Sequence, residues 1–199
     1  IPFFQRTYVW DKDNWENLLS ELLNKPSGHF LGSIILKQLP SSSGEPKQLE
    51  VVDGQQRLTT LSILLKALFD TFTSDIKKNC ESDVNAILFY RKDYASQDYK
   101  IKIEHSQVDA DAYQKIINAN IDNNLTIDLI TENSHKILQC YQYFYDELKT
   151  KSEDIRKSLL NKILSPENKM LVVIDLVEEK DDEQAIFDTL NTAGVKLTT

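Results

Sequence analysis

With 199 residues the chain is long enough for one domain, or a core with an inserted lobe, and folding is expected to bury roughly 70% of its unfolded surface. Its 23 basic residues face 31 acidic ones, a formal charge of −8, which argues against wrapping of a polyphosphate by the whole surface; nucleic acid, if bound, is bound locally. Five Gly and five Pro exclude a low-complexity or disordered chain, and no apolar run approaches the roughly 20 residues needed to cross a bilayer.

The amino terminus carries neither a basic region nor a signal-like apolar stretch, so a cytoplasmic location without membrane partners is expected. The chain starts at Ile1 rather than Met and stops at Thr199 directly after a motif-like segment, which suggests a fragment cut at both ends. Cys80 and Cys140 lie far apart without redox or zinc spacing and are expected as buried free thiols.

Ile1 to Trp10 reads as an extended lead-in, and Asn14 to Leu23 as a short amphipathic helix carrying Trp15, Leu18, Leu19, Leu22 and Leu23 at helical spacing. Pro26-Ser27-Gly28 ends it. Leu31 to Leu36, with Ile34 and Ile35, has the signature of a buried strand, residues 39–46 that of a loop, and Leu49 to Val52 that of a second strand pairing with the first as a hairpin. Leu58, Leu61, Leu64, Leu65, Leu68, Phe69 and Phe72 form one stripe that predicts a long helix to about Lys78.

Residues 82–99 read as a short helix and a polar, Tyr-rich connection, followed by a strand from Tyr99 to Glu104. Three more helices are predicted, from Asp109 to Ala119, Asn133 to Leu148 and Glu153 to Leu164, forming a helical lobe. Met170 to Leu176 is apolar and β-branched and is expected as a central strand. The acidic run Glu178 to Glu183 then opens a helix to Leu190. The fold class is therefore α+β: a small mixed sheet of about four strands with flanking helices, its core formed by residues 1–80 and 165–199, plus a helical lobe over about 81–164.

The chemistry concentrates at Asp53-Gly54-Gln55-Gln56-Arg57, where a buried strand passes into the start of a long helix. Unpaired N–H groups at such a start favour an anion, Gly54 allows a sharp turn, and Arg57 offers a planar fork suited to phosphate. Gln55 and Gln56 add amide groups, Thr59 and Thr60 hydroxyls. Asp53 beside a phosphate would be repelled unless it holds a Mg²⁺ ion or takes a proton from water. The plain alternative is that Asp53 caps the helix and Arg57 pairs with a surface carboxylate. Gln5 and Arg6 sit among aromatic residues, and Asn191 with Gly194 closes a helix as an ordinary C-cap. His29, His105 and His135 are scattered, without metal-ligand or catalytic spacing, and His29 reads as structural.

These segments together resemble the amino-terminal domain of GmrSD-type, modification-dependent restriction enzymes, whose core is related to the ParB and sulfiredoxin fold. The resemblance rests on Ile1-Pro2 with Gln5-Arg6, Gly32-Ser33-Ile34, the run Asp53 to Leu61, and Phe187, Asn191, Gly194 and Leu197, in that order across essentially the whole chain. It implies a nucleoside triphosphate pocket with Asp53, Gln55, Gln56 and Arg57 as hydrolytic centre, Asp53 as the Mg²⁺ ligand, Gln5 and Arg6 as a second wall, and Asn191 and Gly194 as a third. Ala193 stands where the family often has Arg, which removes one phosphate-facing charge. DNA would then be met through the full-length protein, with a homo-oligomer as one arrangement, and cut by a separate carboxy-terminal nuclease region beyond Thr199. Two other readings stand beside hydrolysis: a nucleotide-gated DNA-binding module without turnover, and a ParB-like nuclease.

Overall fold

The computed structural model describes residues 7–40, 46–91, 99–119 and 130–176. The expected features at Gln5, Arg6, residues 41–45, the 178–190 helix, Asn191, Ala193 and Gly194 lie outside these residues.

Helix α1 (Lys12–Asn24) starts where Asn14 Oδ1 accepts the Asp11 N–H at 3.2 Å, and it buries Trp15, Leu18, Leu19 and Leu22, the predicted stripe. Strand β1 (Gly32–Gln38) follows, pairing antiparallel with β2 (Leu49–Asp53) as the expected hairpin, with a register shift between Ile35 and Leu36. Helix α2 (Gln55–Asp70) leaves β2 through a single residue, Gly54.

The predicted long helix to Lys78 is two helices: α2 ends at Asp70, and α3 (Ser74–Leu88) begins after Thr73, whose extended backbone caps it. The apolar stripe crosses this break without interruption because the intervening turn keeps Phe72 buried, with the Arg156 guanidinium 5.5 Å from its ring centroid. Arg156 also donates to the Thr71 carbonyl at the break. Asp70, at the end of α2, is buried with Lys66 and Tyr141 as partners, so its side chain is committed inward.

The expected Tyr-rich connection instead contains a strand. Helix α3 runs into β3 (Phe89–Arg91), which pairs antiparallel with β4 (Tyr99–Ile101) in a separate two-stranded ribbon. The predicted strand to Glu104 is shorter because only three positions pair with β3. Helices α4 (Gln107–Ile117), α5 (Lys136–Lys149) and α6 (Glu153–Leu164) occupy the predicted places; Ser152 accepts the Ile155 N–H and fixes the start of α6.

Strand β5 (Leu171–Leu176) returns to the sheet parallel to β1, but among the described residues it lies at an edge. Among the described residues the order is β2-β1-β5, so β1 rather than β5 is the central strand. Its position shows in Val172 and Val173, which are 49% and 57% exposed, whereas Ile34 and Ile35 of β1 are buried. The class is mixed α+β, as the patterning implied.

One hydrophobic cluster holds the helices together, running from Trp15 and Leu22 through Ile63, Leu64 and Leu68 to Tyr113, Ile116, Tyr141, Phe144 and Leu148. Each large side chain buried in this way contributes about 1.5–3 kcal/mol. Helix α2 is its axis: Ile63, Leu64, Ala67 and Leu68 have no exposed surface, and α5 packs along it. Cys80 and Cys140 are buried free thiols within the cluster. None of the helices among the described residues is long and apolar enough to cross a membrane.

Candidate functional site: the start of helix α2

Gly54 adopts a left-handed backbone with φ +88° and serves as the N-cap of α2. A Cβ there would lie 3.0 Å from the Ser33 carbonyl oxygen and 3.1 Å from Ile34 Cγ1, so both backbone and space call for glycine. Without a side chain Gly54 cannot cap the helix, and the first turn of α2 contains no acidic residue. No side chain therefore caps the start of this sixteen-residue helix. Asp53, opposite Ile35 in the sheet, holds the last position of β2 immediately before this turn.

Arg57 packs over Gly32. Gly32 has φ +129°, and a Cβ on it would approach the guanidinium to 2.5 Å, so the glycine leaves the seat in which Arg57 rests. One guanidinium N–H reaches the Ser33 carbonyl at 3.4 Å. Burial pushes the Arg57 pKa down, while Asp53 and Glu21 push it back up; a guanidinium remains a cation throughout the accessible range. Glu21 in turn lies 3.9 Å from His29, which places His29 on this flank at the edge of the site.

The opposite flank of the same turn is engaged with the protein itself. Gln56 Oε1 accepts from the Val9 N–H at 2.9 Å and the Trp10 N–H at 3.4 Å, and its Nε2 donates to the Thr7 carbonyl at 3.1 Å. Gln56 thus clasps the lead-in segment through its backbone. Thr59 and Thr60 are buried: Thr59 meets His105 Nε2 at 2.9 Å, and Thr60 donates to the Gln56 carbonyl and meets the Tyr8 hydroxyl, both at 2.7 Å. Their hydroxyls face inward rather than toward a ligand at the helix start. Burial pulls the His105 imidazole down to about 4, so it is neutral at pH 7.

Several groups on this flank carry no signal in the sequence. Tyr8 accepts from Trp15 Nε1 at 2.9 Å and lies 3.4 Å from Cys140 Sγ, and burial raises its pKa well above the ordinary phenol range. Asp109, fully buried, accepts the Tyr8 N–H at 2.9 Å and has His135 Nε2 3.2 Å from its other oxygen. His135 Nδ1 accepts the Ile137 N–H, which assigns its proton to Nε2, facing that carboxylate. Lys136 completes the grip on the lead-in by donating to the Val9 carbonyl at 2.8 Å.

Asp53, Gln55, Gln56 and Arg57 are therefore brought together at one helix start, with Asp53, Gln55 and Arg57 half-buried. Among the described residues no three of His, Cys, Asp and Glu lie close enough to hold a metal ion. A protein-held metal is thus not supported by these donors. A single carboxylate does fit Mg²⁺, which takes most of its ligands from phosphate and water.

No curated protein matches the chain at a significant level. The sequence model of one family, described as the GmrSD restriction endonuclease, N-terminal domain, matches residues 1–199. Because that match spans the whole sequence, the chain belongs to the family of GmrSD restriction endonuclease N-terminal domains.

Proposed function

We propose that this domain binds a nucleoside triphosphate at the start of α2 and hydrolyses it within a modification-dependent DNA restriction system. The observation that carries the reading is the start of α2, where no side chain caps the helix, flanked by the seated Arg57 cation and by Asp53 at the end of β2. The backbone amides of Gln55, Gln56 and Arg57 and the Arg57 guanidinium receive phosphate oxygens, each charge-assisted contact contributing about 1.5–3 kcal/mol. Asp53 orients or deprotonates the attacking water, and Gln55 holds that water through its amide. Asp53 would also hold Mg²⁺, which when bound supplies charge neutralisation between carboxylate and phosphates.

The remaining motif residues act by positioning. Gln56 fixes the lead-in that follows Gln5 and Arg6, and Thr59 and Thr60 tie the first turns of α2 to His105 and Tyr8. Gln5 and Arg6 as a second wall, and Asn191 and Gly194 as a third, complete the reading through family resemblance. DNA and a carboxy-terminal nuclease region belong to it as partners, in a cytoplasmic enzyme for which a homo-oligomer is one arrangement.

The Gln56 clasp favours one second reading. A ligand on the helix start would press on the segment Gln56 holds, so nucleotide could gate DNA binding without being consumed. A thermal-shift series with nucleoside triphosphates, with and without Mg²⁺, combined with phosphate release in the presence and absence of DNA, tests both. Stabilisation with turnover supports hydrolysis; stabilisation without turnover supports the gate; no stabilisation by any nucleotide rejects both.

A further inference from the structure

A second hollow lies away from α2, where α3 meets the β3–β4 ribbon. It has a volume of about 590 Å³, within the roughly 300–1,000 Å³ typical of small-ligand sites. Ser82 and Asn85 on one face of α3 supply hydroxyl and amide groups, and Phe89, Tyr90 and Tyr99 supply three aromatic rings. Arg91 stands at its side with its guanidinium carbon 5.0 Å from the Tyr99 ring centroid and donates to the Tyr99 hydroxyl from Nε and one Nη at 2.9 and 2.6 Å.

The ribbon is braced rather than loose. Lys102 bonds the Leu88 carbonyl through its N–H at 2.9 Å and the Ala86 carbonyl through its ammonium. Lys100, exposed and paired with Tyr90 across the ribbon, does not line the hollow. Among the described residues that line it there is no carboxylate.

Aromatic faces combined with an Arg match a base and its phosphate: bases stack on rings, and a cation takes the backbone. We propose that this hollow takes one unstacked base of a nucleic-acid strand, stacked against Tyr99 or its aromatic neighbours, with Asn85 and Ser82 toward the base edge and a flanking phosphate at Arg91. The inference rests on nucleic acid being a partner of this domain, but not on nucleotide binding at α2.

The test is fluorescence anisotropy of the intact protein with a short labelled oligothymidylate across a salt series, in the absence of nucleoside triphosphate. Failure of the α2 reading therefore leaves this measurement interpretable. Tyr99→Ala, at a 54% exposed position, is expected to weaken binding about tenfold, and Arg91→Ala to reduce the salt slope by about one. Lys157→Ala on the surface of α6 controls for loss of a single positive charge and is expected to bind as wild type. Absence of binding by wild type at low salt would overturn the proposal, as would unchanged affinity in both ribbon variants. Displacement of the strand by thymidine monophosphate at equal concentration would assign the hollow to a free nucleotide, and an equal loss in Arg57→Ala would move the strand to α2; either outcome overturns it.

Discussion

The two flanks of the first turn of α2 differ in what they do with their polar groups. On the Gln56, Thr59 and Thr60 flank each side chain meets a protein partner: the lead-in backbone, His105 or Tyr8. On the Asp53 and Arg57 flank a cation rests on a glycine, with carboxylates on either side, next to a helix start that its own cap cannot satisfy. Polar residues adjacent in sequence thus separate into those bonded to the lead-in, His105 and Tyr8 and those gathered around the seat of Arg57.

The sharpest way to break this comparison is to remove a ligand-facing group that the fold does not need. Asp53→Ala is expected to lower phosphate release by about 10²–10⁴-fold while leaving the melting temperature near that of wild type. A comparable loss of stability would place Asp53 with the structural flank.

The seat of Arg57 is the next test. Gly32→Ala introduces a Cβ that would stand 2.5 Å from the guanidinium, so Arg57 must leave. Nucleotide affinity, read by titration calorimetry, is expected to fall about 10–100-fold, the loss of one charge-assisted contact. Arg57→Ala combined with Gly32→Ala is then expected to cost no more than Arg57→Ala alone, since both remove the same interaction.

The structural flank has its own signature in pH. His105 is held near 4 in the folded protein against an ordinary value of 6.5. Its folded value is the lower one, so the stability tied to its neutral form is complete above pH 6.5 and is lost as pH falls toward 4. Within that window the loss is at most about 1.4 kcal/mol per pH unit. Urea midpoints measured from pH 7 to pH 4.5 are expected to fall more steeply for wild type than for His105→Asn; parallel curves would remove His105 from this role. The smallest effect is expected from Gln56→Ala, which loses hydrogen bonds contributing about 0.5–1.5 kcal/mol each in a partly exposed setting. Hydrogen exchange at the Val9 and Trp10 amides should then speed up, with the α2 core unaffected.

Much of this arrangement is legible in the residues. The limits of α6 follow from Ser152 as a cap, the α1 stripe from apolar spacing, and the β2-to-α2 turn from Asp53-Gly54. The break between α2 and α3 is not, because Phe72 stays buried and the apolar period runs through the turn. Nor is the centrality of β1, since β5 carries an equally apolar pattern and only pairing decides which strand is flanked on both sides. The partners of the α2 start are hidden for another reason: Thr59 and His105 are 46 residues apart, and Tyr8 and Asp109 are 101 apart. His105 reads as unremarkable until the chain folds it against Thr59.

The most direct measurement of the central claim is calorimetric titration of wild type and Arg57→Ala with nucleoside triphosphate in the presence of Mg²⁺. Anion capture at the start of α2 predicts saturable binding by wild type, weakened about tenfold or more when the guanidinium is removed. Equal affinity in both proteins, or no heat of binding in either, would contradict it.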